Sequence, residues 1–181
     1  MTKQVIKPVL ILLALCLVIA AAVSVTYFFT ADRIAAQAKT KITQSIALLL
    51  PGTTETVKTE CDAFTYYDCT GTDRAALGRV YLIDAKGYDG PIMLMVGIKS
   101  DSSVAGISIL SSTETPGLGK KAEDSDFYGQ FSNRDVDAFT VVKGEAKTDD
   151  QISAISGATT TSRAITDAVN TALAHFNGGE Q

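Results

Sequence analysis

An uncharged apolar run over residues 8–29 is the feature that most constrains this chain. At about 1.5 Å per residue, a helix of that length crosses the roughly 30 Å hydrocarbon core of a bilayer. The alternative is a cleaved secretory signal, because the alanines at residues 20–22 offer a small-residue site. Signal cores contain only about 7 to 15 apolar residues, however. The sequence therefore predicts a retained single-pass membrane anchor.

The charges beside this segment predict its orientation. Lys3 and Lys7 precede the span, whereas Asp32 and Arg33 nearly cancel after it. The positive-inside rule then places the N-terminus in the cytoplasm, and the aromatic residues 27–29 suit the outer interface of the cell membrane. The expected organisation is a cytoplasmic N-terminus at residues 1–7, a transmembrane helix at 8–29, a helical extension at 30–52 and an extracytoplasmic domain at 53–181.

Composition excludes several kinds of function. A length of 181 residues leaves room for one anchor and one domain, and a net charge of -4 gives no basic surface for nucleic acid. Cys16, Cys61 and Cys69 form no pattern typical of zinc or iron–sulfur centres, so no metal site is expected. Cys61 and Cys69 are left open as either a disulfide or two free thiols. His175, the single histidine, is expected to be structural.

Apolar periodicity after residue 30 predicts an α+β domain. Three- and four-residue steps predict helices, and alternation predicts an antiparallel meander of strands. The expected class is an N-terminal transmembrane helix followed by a small antiparallel sheet with flanking helices. The predicted helices are residues 31–50, which stop at Pro51-Gly52, 122–131 and 161–176; the predicted strands are 79–85, 92–98 and 104–110, with weaker ones near 64–67 and 139–142.

A hydroxyl-rich stretch precedes the last predicted helix. It reads Ser156-Gly157-Ala158-Thr159-Thr160, followed by Thr161-Ser162-Arg163. One interpretation is capping alone, because hydroxyl side chains are good helix N-caps and glycine gives a hinge. The other is a phosphate site, because the amides at a helix N-terminus bind anions. Arg163 in the first turn is also unfavourable against the helix dipole unless an anion lies nearby.

A second motif follows the third strand of the predicted meander. It reads Glu114-Thr115-Pro116-Gly117-Leu118-Gly119. By itself it is either a Pro-Gly turn or a loop whose glycines let a ligand approach the backbone, with Leu118 over an apolar edge of that ligand. Glu114 is correspondingly either a contact to a polar atom of the ligand or a solvated charge.

Together, in this order, the two motifs resemble the flavinylation motif and the flavin-bordering loop of a family of extracytoplasmic FMN-binding domains. These domains occur in the G subunit of the Rnf complex and in the C subunit of the sodium-pumping quinone reductase. The resemblance covers about residues 78–176, and the short anchored chain fits the Rnf protein better. It implies FMN joined by a phosphoester to Thr159, bordered by Ser156, Gly157, Ala158, Thr160, Glu114, Thr115, Gly117, Leu118 and Gly119.

The resemblance also implies a function. It is that of a flavoprotein electron-transfer subunit in a membrane-bound, ion-translocating ferredoxin:NAD oxidoreductase, with no catalytic residue and no substrate turnover of its own. The implied partners are other membrane and peripheral subunits and a flavin transferase. Family members often carry Asp six residues before the acceptor threonine, where this chain has Ser153; Asp149 and Asp150 lie slightly upstream. The alternatives are a stand-alone extracytoplasmic FMN electron carrier and a non-redox anchored binding or assembly module.

Overall fold

A long N-terminal helix, α1, extends from Thr2 to Leu49 in the computed structural model, which describes residues 2–178. The apolar side chains of its membrane-length part are exposed, and by length and composition α1 is able to cross a membrane. The chain divides into two compact units after Lys41, so the last two turns of α1 belong to the second unit. The predicted boundaries and orientation include Met1, residues 179–181 and the side chains of Lys3 and Asp32, which lie outside what the structure describes.

The end of α1 agrees with the sequence. The helix predicted over residues 31–50 is present as the last part of α1. Pro51 has no N–H to continue the helical ladder, and Gly52 adopts a φ of 92°, a left-handed conformation that favours glycine. The chain therefore leaves the helix at the predicted Pro-Gly stop.

The second unit is built on a five-stranded antiparallel sheet in which each strand pairs with the next in sequence. The predicted meander and the α+β class are confirmed. One strand of this sheet, β1, was not predicted, because its side chains are almost all exposed and show no apolar alternation. The strands are β1 (Glu55–Glu60), β2 (Thr65–Thr70), β3 (Ala76–Lys86), β4 (Pro91–Lys99) and β5 (Val104–Ser112).

Helices cover both faces of this sheet. On one face Leu49 and Leu50, at the end of α1, pack with Met95 of β4 in a small apolar cluster. Gly97 of β4 makes this approach possible, since a β-carbon there would lie 2.9 Å from the β-carbon of Leu49. The opposite face, which contains the main core, packs against α3, a helix of residues Thr159–Gly178.

The segment between β5 and α3 is made of short elements. The single helix predicted over residues 122–131 is wrong in detail, because the chain forms a 3-10 helix (Gly119–Glu123), a four-residue α2 (Ser125–Tyr128) and a second 3-10 turn (Gly129–Phe131). Two three-residue strands follow and pair in parallel, β6 (Thr140–Val142) and β7 (Gln151–Ser153). β6 confirms the strand predicted near residues 139–142, whereas β7 was not predicted. The closing helix α3 begins two residues earlier than expected.

His175 and the cysteines have structural surroundings. The Nδ1 atom of His175 lies 3.0 Å from the Tyr81 hydroxyl, and its ring packs against Phe64. Burial raises the pKa of Tyr81 to about 12, so this phenol keeps its proton at neutral pH. Cys61 and Cys69 are free thiols. Cys69 pairs with Thr56 of β1, which lies five residues before Cys61. At strand spacing, five residues put Cys61 about 16 Å along the strand from that pair. A disulfide needs α-carbons within about 7 Å, so the two cysteines are too far apart to form one.

The packing of α1 on the sheet gives a first prediction. Leu49→Ala removes a buried side chain that packs beside Gly97, and we expect it to lower the free energy of unfolding by about 2–4 kcal/mol. The matched control is Leu48→Ala, because Leu48 is 73% exposed; it is expected to cost less than about 0.5 kcal/mol. The chain has no tryptophan, so tyrosine near-UV circular dichroism of the full chain in detergent measures the transition. Equal effects of the two variants would contradict this packing.

Candidate functional site

A cleft of about 300 Å³ lies where three segments of the second unit meet. These segments are the turn between β3 and β4, the loop after β5, and the N-terminus of α3. The residues lining the cleft are Tyr88, Glu114, Thr115, Leu118, Gly119, Gly157, Ala158, Thr159, Thr160 and Thr161. The fold therefore brings the two sequence motifs, which lie about 40 residues apart, to one place.

Most of the predicted site residues are in this cleft. The structure brings together Glu114, Thr115, Leu118, Gly119, Gly157, Ala158, Thr159 and Thr160. Gly117 is exposed in the loop and does not line the cleft. Ser156 lies instead in a neighbouring cleft of about 350 Å³, which it shares with Ser153, Asp124 and Asp126.

Glu114 is a buried residue and not a solvated charge. It is only 4% exposed, and its carboxylate joins all three segments of the cleft. The backbone amides of Tyr88 and Asp89 donate to Oε1 at 2.7 and 3.1 Å. The Thr161 hydroxyl donates to Oε2 at 2.7 Å. The expectation of a solvated charge is therefore wrong, because the carboxylate is buried to bind protein donors.

Glycine is required around this carboxylate. A β-carbon at Gly119 would overlap Oε2 of Glu114, and one at Gly87 would overlap Oε1. Gly119, the last residue of the second motif, thus leaves room for the side chain of Glu114, the first residue of that motif. Close approach of a ligand was one of two interpretations of this glycine; in the structure the Glu114 side chain approaches it, and Gly119 also lines the cleft.

Ser162 links the first turns of α3 to the preceding loop. Its hydroxyl donates to the carbonyl of Ala158 at 3.0 Å and accepts from the amide of Ile155 at 3.0 Å, so it closes the loop that contains the first motif. Thr159, the first residue of α3, is half-buried. Among residues 2–178 no hydrogen-bond partner is found for the Thr159 hydroxyl. The Ser162 hydroxyl therefore ties this loop to the helix, and Thr159 is one of the residues that line the cleft.

Arg163 does not support a phosphate site in the way the sequence suggested. Because α3 begins at Thr159, Arg163 is the fifth residue of the helix and lies beyond the first turn. It is exposed and does not line the cleft. The unfavourable dipole interaction that was expected there is accordingly weak, since the dipole effect falls off within the first turn.

Tyr88 and Thr161 line the cleft but were not predicted. Tyr88 is at the tip of what looked like a plain turn between two glycines, and Thr161 looked like one more capping hydroxyl. A large aromatic residue in a Gly-x-x-Gly turn is the signal that was available for Tyr88. Thr161 gave no such signal, because its partner Glu114 lies 47 residues away in sequence.

The lining of the cleft has no positively charged side chain: none of its residues, all within the described part of the chain, is cationic. Lys120 and Lys121 are exposed beside it, and Lys121 lines the neighbouring cleft. Residues 2–178 contain no cluster of three or more metal-ligating side chains.

Comparison with known proteins identifies the family. The FMN-binding domain family matches residues 87–174, which include every residue lining the cleft, and the RnfG N-terminal region matches residues 1–47. The G subunit of the ion-translocating oxidoreductase complex of Pseudoalteromonas atlantica is 31% identical, over 94% of this chain and 88% of that protein. Fold and site thus define an FMN-binding-domain protein with an N-terminal helix of membrane-spanning length.

More specifically, the chain belongs to the RnfG family, the G subunits of ion-translocating oxidoreductase complexes. The G subunit of the proton-translocating ferredoxin:NAD(+) oxidoreductase complex of Clostridium ljungdahlii is 44% identical over 54% of either chain. Its counterpart in the Na(+)-translocating complex of Acetobacterium woodii is 40% identical over 48% of this chain and 42% of the relative. The chain thus spans about half the length of these two relatives. The resemblance stated from the sequence is confirmed.

Solved structures show the same fold. The crystal structure of Shewanella oneidensis NqrC superposes with a TM-score of 0.54 at 22% identity, covering 71% of this chain and 66% of that one. The C subunit of the Na(+)-translocating NADH-quinone reductase of Parabacteroides distasonis gives a TM-score of 0.50, also at 22% identity, over 65% and 64% of the two chains. At this identity the similarity concerns the fold alone.

The Glu114 network gives the second prediction. Glu114→Ala leaves three donors without their acceptor, and we expect it to lower the free energy of unfolding by about 3 kcal/mol. Glu114→Gln keeps one acceptor oxygen and is expected to cost less. The control is Glu145→Ala, at an exposed glutamate. Denaturant unfolding followed by tyrosine circular dichroism measures all three; if Glu114→Ala behaved like Glu145→Ala, the carboxylate would not hold the cleft together.

Proposed function

We propose that this chain is the flavoprotein electron-transfer subunit of a membrane-bound, ion-translocating ferredoxin:NAD oxidoreductase of the Rnf type, with FMN esterified to Thr159. The observation that carries the proposal is the position of Thr159, a half-buried residue in the first turn of α3 that lines a cleft within the matched FMN-binding domain. The relatives support the electron-transfer function, because two of them are named as subunits of ferredoxin:NAD(+) oxidoreductase complexes.

The N-terminus of α3 suits the phosphate end of FMN. The first amides of a helix have no partner within it, and the positive end of the helix dipole favours an anion. Thr159, Thr160 and Thr161 supply those amides at the cleft. A phosphoester carries one negative charge fewer than free FMN at neutral pH, so a cleft without a cationic side chain is better matched to the esterified group.

The rest of the cleft suits a flavin ring. Tyr88 and Leu118 offer apolar surface, Gly119 and Gly157 expose backbone, and Thr115 offers a hydroxyl. When bound, FMN supplies one- and two-electron redox chemistry. The protein positions and shields the ring, and its own residues need not turn over a substrate.

The attachment is a single bond between Oγ1 of Thr159 and the phosphorus of FMN. The threonine hydroxyl loses its proton, one P–O bond of the flavin donor breaks, and the donor's other group leaves with that proton, so the chain gains the mass of FMN less one water. A separate flavin transferase makes the bond, so Thr159 is an attachment point and no catalytic base is needed beside it. An ester also keeps the cofactor on a domain exposed to the exterior, where a dissociating flavin would be diluted.

The same proposal gives the chain its place in the cell. The N-terminus lies in the cytoplasm, α1 crosses the cell membrane, and the flavin domain is extracytoplasmic, as the charges beside the span favour. The other membrane and peripheral subunits of the complex are its partners. They bind ferredoxin and the nicotinamide nucleotide and move the ion, because one span and a small domain contain no pathway for it.

The third prediction tests the ester. In the native host, which has its own transferase, Thr159→Ala is expected to lose in-gel flavin fluorescence after denaturation and to have the mass of the polypeptide alone. Thr160→Ala, at the adjacent hydroxyl, is the matched control and is expected to retain both signals. Persistence of flavin in Thr159→Ala would move the attachment site. Wild-type protein from native membranes without added mass would overturn the proposal.

The fourth prediction tests the orientation with cysteines already present. Cys61 is exposed in the domain, whereas Cys69 is buried, and burial raises the pKa of the Cys69 thiol so that the reactive thiolate is suppressed. A membrane-impermeant maleimide added to right-side-out vesicles is expected to label Cys61 and to spare Cys69. A Cys61→Ser variant gives the background. Labelling of Cys61 only after the vesicles are opened would place the domain in the cytoplasm.

A further inference from the structure

We propose that the outer edge of β5 is a docking site, to which another subunit adds an extended segment with a basic residue as a further strand. The inference rests on the proposed function in taking that subunit from the same complex. It is carried by a second cleft of the domain, the edge cleft, which has a volume of about 300 Å³ and shares no lining residue with the cleft of Thr159. The residues lining the edge cleft are Leu48, Ile107, Ser108, Ile109, Glu123 and Tyr128.

Three consecutive residues of β5 line the edge cleft, and this places it at the side of the strand. Successive side chains of a strand point to opposite faces of the sheet. Ile107 accordingly packs in the main core, whereas the Ser108 hydroxyl lies 2.9 Å from that of Ser45 on the α1 face. A cleft that reaches both of these residues and Ile109 therefore runs along the outer edge of β5.

The backbone of this edge is open to a partner strand. β5 is the last strand of the sheet, and among residues 2–178 the only β-bridge on its outer side joins Val104, at its start, to Arg134. Its register with β4 is irregular near residues 105 and 110 and regular in the stretch between them, which lines the cleft. Alternate N–H and C=O groups of an edge strand point away from its neighbour, so such an edge is a template for another strand.

The two edges of the sheet differ in how they are protected. Edge strands commonly carry charged residues, lysine especially, which oppose pairing with another chain. β1, at the opposite edge, has three of them, Glu55, Lys58 and Glu60. β5 has no charged residue and no proline from Val104 to Ser112. An edge without this protection favours a partner that covers it by strand addition.

The walls of the edge cleft define which side chains suit the added segment. Leu48 of α1 is 73% exposed and Tyr128 of α2 is 37% exposed, so apolar surface borders the edge. Glu123 is the one charge in the described lining, is exposed, and forms no ion pair within residues 2–178. A strand with apolar side chains and a lysine or arginine beside Glu123 is complementary to these groups. A second copy of β5 has no basic residue and lacks that charge.

One short element joins the edge cleft to the cleft of Thr159. The 3-10 helix from Gly119 to Glu123 has its first residue in the cleft of Thr159 and its last in the edge cleft. At about 2 Å of rise per residue, the two ends of this helix lie about 8 Å apart. A segment bound along β5 thus brings its own subunit close to the proposed flavin, as electron exchange between them requires.

Photo-crosslinking in native membranes tests the occupant. With p-benzoylphenylalanine in place of Leu48, the full chain is expected to cross-link to a segment of another subunit of the complex. Mass spectrometry of the digested product should find a lysine or arginine within a few residues of the linked position. The same group in place of Val57, 64% exposed on β1, is the matched control and should not give this product. A product with lipid or with a second copy of this chain, or no product, would overturn the docking site.

Variants of the cleft test its recognition chemistry. Glu123→Lys and Leu48→Glu are each expected to lower severalfold the amount of the other subunits that copurify with the full chain from native membranes. Val57→Glu is the control and should leave that amount unchanged. Flavin load by intact mass should equal wild type in all three variants, because none of these residues lines the cleft of Thr159. A glutamate in place of the basic residue of the cross-linked segment should restore the association of Glu123→Lys.

The outcomes separate this inference from the proposed function. Wild-type copurification of both cleft variants would overturn the docking site and leave the proposed function intact. A wild-type chain without flavin by mass would overturn the proposed function, and the cross-linked product would then decide the docking site alone. The same product decides where a variant fails to acquire flavin.

Discussion

The buried carboxylate of Glu114 is the interaction on which the site depends. A carboxylate taken out of water is costly unless strong hydrogen bonds replace its hydration. Here two backbone amides and one hydroxyl do so, and they come from two segments that are distant from Glu114 in sequence. Because all three donors must be present together, the β3–β4 turn, the loop after β5 and the start of α3 are held as one unit. The cleft lies between those segments, so its shape follows from this one charged group.

The elements predicted from the sequence were those whose local pattern reports their burial. Strands β3, β4 and β5 alternate or are continuously apolar because they lie in the core, and α3 has a clear apolar face. β1 is exposed along nearly its whole length, so no alternation marked it. β7, which was not predicted, has three residues, fewer than a period requires. In each case the missing information lies in tertiary packing that a local window does not contain.

The candidate site shows the same division between local and long-range information. The two motifs indicated where the cleft residues are, since their chemistry is local. The burial of Glu114 was not predictable, because its hydroxyl partner Thr161 lies 47 residues away and only the fold brings them together. The hydroxyl-rich stretch is also divided in the structure. Ser162 binds the loop before α3, whereas Thr159 lines the cleft, so different residues of the stretch hold the backbone and border the site.

The connection between the anchor helix and the flavin domain bears on electron transfer. Only residues 50–54 separate the end of α1 from β1, and the last turns of α1 are part of the domain's apolar packing through Leu49 and Met95. The Ser45 hydroxyl of the same helix also lies 2.9 Å from that of Ser108 in β5. Electron transfer rates fall steeply with distance. Under the proposed function, a helix end built into the core of the domain keeps the cleft at a constant position relative to those last turns of α1, so a distance measured from them to a bound flavin does not vary with the motion of a linker.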